Sequence, residues 1–208
     1  DQGASRVHLR QALDASLKRL QTDYIDVYYV HTPDYTTRID ETLRALDDMV
    51  RSGKVHYIGC SNFRTWRLLE ALGTSDRLKL QPFACIQPLY NIVNRDIEVE
   101  LLPACHEYGV GVVSYSPLAR GILSGKYQTG APFPEGSRAA RHDKRMQQAE
   151  LRDASFEIAE QIHQVQEWLS MGYRPNEIRR LCADEWGLST RVAETRMADA
   201  RRQMIADA

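Results

Sequence analysis

The chain has 208 residues, with 27 Lys and Arg against 28 Asp and Glu, a net charge of −1 and 43% hydrophobic content. That length suits one large domain or two small ones, with enough apolar residues for a real core. The near-neutral balance argues against a strongly basic nucleic-acid binder and against an acidic tail, and no apolar run approaches the roughly 20 residues of a membrane span.

Arg6–Leu20 predicts a helix, with Leu9, Leu13, Leu17 and Leu20 on one stripe. Tyr24–His31 predicts a strand, β-branched and aromatic, of the kind buried on both faces of a parallel sheet. Thr37 is placed to cap the next helix, whose inner face carries Ile39, Leu43, Leu46, Met49 and Val50 and which Gly53 stops. Val55–Asn62 predicts the second strand, and Arg64–Leu72 a short helix ended by Gly73. Phe83–Tyr90 predicts the third strand. Ile97–Tyr108 predicts a helix capped near Asp96 and stopped by Gly109, with Pro103 inside it. Val110–Pro117 predicts the fourth strand. Each strand ends in polar groups, at His31, Ser61, Gln87 and Tyr115, in steps of 30, 26 and 28 residues. That is the period of a βα unit.

Strand-helix alternation with short loops implies right-handed crossovers and a parallel sheet. A doubly wound open sheet and a (β/α)8 barrel both fit the alternation. No G-x-G-x-x-G follows any strand, which favours the barrel, although four strands make only half of one. The expected fold is therefore α/β, a partial TIM barrel of about four parallel βα units. Leu118–Asp153 then reads as a long Gly- and Pro-rich loop with a charged run at Arg138–Arg145. Helical pattern resumes at Ala154–Gln164. Val165–Ser170, a helix from Pro175 to about Trp186, the turn Gly187-Leu188-Ser189 and a helix Thr190–Ala206 outline a small all-α helix-turn-helix segment. The expected division is 1–163 for the barrel part and 164–208 for the helical part.

Residue type alone leaves two roles open at each polar strand end. His31 suits a catalytic or a structural histidine. Ser61-Asn62 can cap the following helix or meet a ligand. Gln87 before Pro88 suits a turn, and Tyr115 suits the core. Lys126 and Arg138 can be solvated loop charges. The remaining histidines show no metal-ligand spacing. Cys60, Cys85, Cys105 and Cys182 are widely spaced, without C-x-x-C, which reads as reduced thiols in a cytoplasmic protein. No signal peptide is visible, and Asp1 stands where a full reading frame has Met, so an upstream segment is expected.

The stretches Arg19–Asp26, Val30-His31, Ser52–Val55, Ile58–Phe63, Gln87–Asn91 and Ser114–Gly121, in that order, resemble the aldo-keto reductase family over about residues 3–163. Ser124–Tyr127 and Ser137-Arg138 resemble the branch that includes the potassium-channel β subunits. The resemblance implies a (β/α)8 barrel that reduces small aldehydes and ketones with NADPH bound at the C-terminal face of its strands. It implies that His31 orients the substrate carbonyl and that Ser61, Asn62 and Gln87 hydrogen-bond the nicotinamide carboxamide. Tyr115 would stack on the nicotinamide ring. Ser116, Leu118, Lys126 and Arg138 would line the pyrophosphate and adenosine phosphate. The chemistry agrees, since an amide pairs with both halves of a carboxamide and two cations suit phosphates.

Two departures from the family shape the expectation. The family's Tyr acid, Lys and Asp belong to its first three strands, upstream of anything matching Asp1, so this chain alone is expected to be a truncated and catalytically incomplete oxidoreductase. After about His163 the family continues to an eighth strand, whereas residues 165–208 resemble the helix-turn-helix of phage terminase small subunits. There Arg191, Arg196 and Arg201 are candidates to face DNA, although residues 164–208 balance seven Arg against seven Asp and Glu. The alternative function is thus a DNA-binding protein carrying a vestigial barrel. Open sheet edges make oligomerisation a further expectation.

Overall fold

The first helix shows how local sequence sets an element. In the computed structural model, which describes residues 3–127, 132–141 and 153–206, helix α1 spans Arg6–Leu20. The hydroxyl of Ser5 accepts from the amide of His8 at 3.4 Å at its start, and Gln21 ends it in left-handed backbone. Leu9, Leu13 and Leu17 are buried, but Leu20, at the helix's last position, is 63% exposed. The apolar stripe outruns the packed surface by one turn.

Four strands follow, all parallel and paired in chain order: β1 (Ile25–Val30), β2 (Val55–Ser61), β3 (Cys85–Gln87) and β4 (Gly111–Val112). Ile25 lies opposite Val55, Ser61 opposite Gln87, and Ile86 opposite Val112. Sequential order without a reversal is the wall of a barrel, because a doubly wound sheet reverses its order at a switch point. The fold is α/β and partly barrel-like, with a helical C-terminus.

Helices α2 (Ile39–Arg51), α3 (Thr65–Leu78) and α4 (Leu101–Tyr108) complete this first unit, which comprises Asp1–Tyr90 and Arg95–Tyr115. Its core joins Leu43, Leu46, Ile58, Cys60, Leu68 and Ile86, each fully buried. Strand β1 is not buried on both faces as expected. Only Val30 is fully covered, and Val27 and Tyr57 on the opposite face of the sheet are 36% and 56% exposed. The reason is that β1 is an edge strand and the helices cover one face only.

Three helix boundaries differ from the sequence expectation. Thr37 does not cap α2, whose start at Arg38 has no side-chain cap. Thr37 turns instead to Asp34, whose carboxylate accepts from Thr37 Oγ1 (2.6 Å), Thr36 Oγ1 (2.7 Å) and the amides of Ala4 (2.8 Å) and Thr36 (2.8 Å). These bonds, the Thr37 hydroxyl foremost, hold the Asp34 carboxyl far below the usual carboxylate range. Gly73 does not stop α3, which continues to Leu78 because Thr74 and Ser75 are buried beyond it. Pro103 does not interrupt α4, because the helix starts at Leu101 after a separate turn at Asp96–Glu98. Pro103 therefore lies in the first turn, where no amide is needed.

The second unit comprises Asn91–Asn94 and Ser116–Ala208. Helix α5 (Asp153–Ser170) is continuous, where the sequence predicted two helices meeting at residue 165. Val165 and Trp168 are buried at and beyond that point, so packing carries the helix through. Helices α6 (Pro175–Trp186) and α7 (Thr190–Ala206) follow, with Gly187 closing α6 at φ 63°. Ile162, Val165, Ile178, Cys182, Ala193 and Ala200 form their shared core, and Trp168 stacks on Trp186 at 5.3 Å. Of the loop expected at Leu118–Asp153, residues 128–131 and 142–152, with Gly130 and the end of the charged run Arg138–Arg145, lie outside the described residues.

Candidate functional site

Parallel register brings the strand ends together. Val30 pairs with Cys60, Ser61 with Gln87, and Leu89 bridges to Tyr115. His31, Ser61, Asn62, Gln87 and Tyr115 therefore gather at the C-terminal end of one sheet. Hydrogen bonds then tie the strand ends, across β3 as well as between neighbours. Tyr115 Oη donates to Asn62 Oδ1 at 3.0 Å. Asn62 Nδ2 donates to the His31 carbonyl at 3.3 Å and to Ser61 Oγ at 3.1 Å. Ser61 Oγ donates to the Gln87 carbonyl at 2.7 Å, and the Asn62 amide reaches the same carbonyl at 3.2 Å. Asn62 adopts φ 60°, the left-handed region that asparagine tolerates better than most residues.

The five side chains are not equally available. Ser61 is 1% exposed, and its hydroxyl is engaged as donor and acceptor. Asn62 has both amide protons engaged and one acceptor position left on Oδ1. The His31 imidazole is exposed and the Gln87 amide half-buried, and neither bonds a described residue. Tyr115 presents a half-buried ring.

Below this rim lies a contact that the sequence reading missed. Tyr29 extends across Gly59, where an added Cβ would sit 2.7 Å from the ring, and places its hydroxyl 3.0 Å from Cys85 Sγ. Burial, then the hydrogen bond to Cys85, pushes the Tyr29 phenol up to about 12, so it keeps its proton at neutral pH. Burial likewise pushes the Cys60 thiol well above its usual range. The available signal was a glycine inside a strand pattern, which marks a close approach.

The loop residues belong to the second unit. The Ser116 carbonyl accepts from Asn91 Nδ2 at 3.1 Å and from the Ala119 amide at 2.9 Å. Leu118 is 54% exposed, and its carbonyl accepts from the Gly121 amide at 2.8 Å. Ser116, Ala119 and Arg120 take φ of 53°, 43° and 58°, a run of strained backbone that surrounding bonds must hold. Lys126 lies against Gly121, where a Cβ would meet its Cε at 2.6 Å, and is exposed. Arg138 is exposed too, and no described bond joins it to the other three. Asn91, 7% exposed, organises the loop start and was not singled out by sequence.

In the helical tail Arg191 and Arg201 are exposed, whereas Arg196 donates to Gln161 at 3.0 Å. Arg179 pairs with Glu194 at 2.8 Å and Arg180 with Asp184 at 3.5 Å. Among the described residues no group of three or more His, Cys, Asp or Glu could hold a metal, and no helix is long and apolar enough to cross a membrane.

A polar rim at the C-terminal ends of parallel strands is the place to compare with known proteins. The profile described as "Aldo/keto reductase family" matches residues 1–172. The chain belongs to that family. A probable voltage-gated potassium channel subunit beta of Arabidopsis thaliana is 44% identical over 141 residues, 67% of this chain and 43% of that protein. The uncharacterized oxidoreductase YrpG of Bacillus subtilis is 44% identical over 124 residues, covering 60% and 38%. A glycerol dehydrogenase structure from Gluconobacter oxydans superposes with a TM-score of 0.66 at 27% identity, over 99% of this chain and 54% of that one. The chain thus spans less than half the length of the curated relatives it matches.

Proposed function

We propose that this aldo/keto reductase chain carries the nicotinamide- and carbonyl-facing part of an enzyme that reduces small aldehydes or ketones with NADPH. The rim supports the reading: Asn62, held by Tyr115 and by the His31 carbonyl, keeps one free acceptor beside the uncommitted Gln87 amide. Together they offer an amide N–H donor and two acceptor oxygens to a carboxamide. The Tyr115 ring offers a stacking face, which selects one side of a nicotinamide. Ser61, already engaged on both sides, acts by positioning Asn62. Lys126 and Arg138 supply exposed positive charge for phosphates, which favours the more highly charged NADPH over NADH.

NADPH, when bound, supplies the hydride. His31 holds the carbonyl oxygen through an imidazole N–H. By the family resemblance the proton for that oxygen comes from a tyrosine outside these 208 residues, so this chain alone turns over no aldehyde. Saturation-transfer NMR tests the cofactor reading. NADPH is expected to show transfer to its nicotinamide protons, lost in Gln87→Ala and Tyr115→Ala. Signals indifferent to both substitutions would end the reading. NADPH oxidation by this chain with an aldehyde panel would overturn only its catalytic incompleteness.

A further inference from the structure

A groove of about 600 Å³ runs beside the start of α2 and along α3, entirely within the first unit. Its charged lining is lopsided, with Arg38, Arg44, Arg67 and Arg77 against Asp40 and Glu70. Both carboxylates already have partners. Asp40 receives Arg38 Nε at 3.0 Å, and Glu70 receives Arg67 Nη1 at 2.6 Å. Arg44 and Arg77 are exposed and make no ion pair or hydrogen bond among the described residues, although the Asp40 carboxyl, held low first by Arg38, is also lowered by the Arg44 charge.

Arg67 gives the independent mark. Its side chain is only 10% exposed. Its Nη2 donates to the Asp34 carbonyl at 3.0 Å, and its guanidinium sits 5.6 Å from the Tyr35 ring and 6.0 Å from that of Trp66. The guanidinium is held firmly, yet Nε is buried with no acceptor from the protein. A buried charged donor left unpaired is costly. Arg67 lines the groove, so its fixed guanidinium sets a positive wall there.

We propose that this groove binds a small, multiply charged phosphorylated anion. Guanidinium forks match phosphate oxygens two at a time, and two uncommitted forks beside a buried third suit a diphosphate better than a monoanion. Lys126 and Arg138 are not among the residues lining it, and the proposal does not depend on the cofactor reading.

The test is calorimetric titration of the full chain with inorganic pyrophosphate at low salt. Binding is expected to weaken by about tenfold or more in Arg44→Gln/Arg77→Gln, whose exposed positions leave folding intact. Arg67→Lys keeps the charge but loses the planar fork, and is expected to weaken binding as well. Lys126→Gln/Arg138→Gln is expected to leave it unchanged, which separates this groove from the loop. Absence of pyrophosphate binding, binding indifferent to Arg44→Gln/Arg77→Gln, or loss confined to Lys126→Gln/Arg138→Gln would each overturn the proposal.

Discussion

The sheet rim of the first unit and the loop of the second hold their candidate residues in opposite ways. At the rim, register sets the place of every side chain, and Asn62 is bonded to the strand ends on both sides. In the loop, left-handed backbone at Ser116, Ala119 and Arg120 shapes the chain while Lys126 and Arg138 stay exposed. The difference follows the chemistry each is proposed to meet. A carboxamide must be oriented, so its partners need fixed directions. A phosphate is recognised largely by charge, which tolerates a looser cation.

The largest expected effect tests whether the rim depends on the core of its own unit. Ile58 of β2 and Ile178 of α6, both fully buried, are matched probes. Each substitution to Ala removes similar apolar volume and is expected to cost about 2–5 kcal/mol. Hydrogen exchange distinguishes them. Ile58→Ala is expected to lose protection in β1 to β4, and Ile178→Ala in α5 to α7. Loss of protection in the strands on Ile178→Ala would break the comparison.

A smaller effect bears on the rim itself. Asn62→Ala removes the acceptor for Tyr115 and the donor to His31, and puts a Cβ-bearing residue with no local hydrogen bond at φ 60°. Both bonds are exposed, so the expected cost is about 0.5–1.5 kcal/mol by urea unfolding. Asn62→Gly is expected to recover only the backbone part. Lys126→Ala, at an exposed loop cation, is expected to fall within about 0.5 kcal/mol of the parent. Equal losses at Asn62 and Lys126 would erase the distinction between rim and loop.

The sequence was most informative where one residue and its neighbours decide the outcome. Helix α1 was legible to its end residues because its start, its leucine spacing and its polar C-terminus agree. The polar strand ends were legible because the βα period sets them at regular steps. Contacts between distant segments were not. Nothing near Thr37 in sequence says that Asp34 will also collect Ala4, 30 residues earlier. Nothing local says that Tyr29 will cross Gly59 to reach Cys85, or that Arg67 will be buried against Tyr35 and Trp66. Exposure of β1 was misjudged for a related reason, since a strand's composition does not say which faces helices will cover.

Gly73 turns one of those misreadings into the finest of these tests. A glycine after an apolar run is a reasonable helix stop, because it can take positive φ freely. At Gly73 that freedom is unused, and α3 runs through it with buried Thr74 and Ser75 holding the next turn. An added Cβ meets nothing within 4 Å. Alanine therefore costs no packing and restricts the unfolded chain more than glycine does. Gly73→Ala is expected to stabilise the first unit by about 0.5–1 kcal/mol, read as a raised urea midpoint at constant slope. A lowered midpoint would mean that α3 ends near residue 73 in solution, as the sequence alone predicts. The buried Thr74 would then no longer be fixed along the groove beside Arg77, and the diphosphate site would lose one wall.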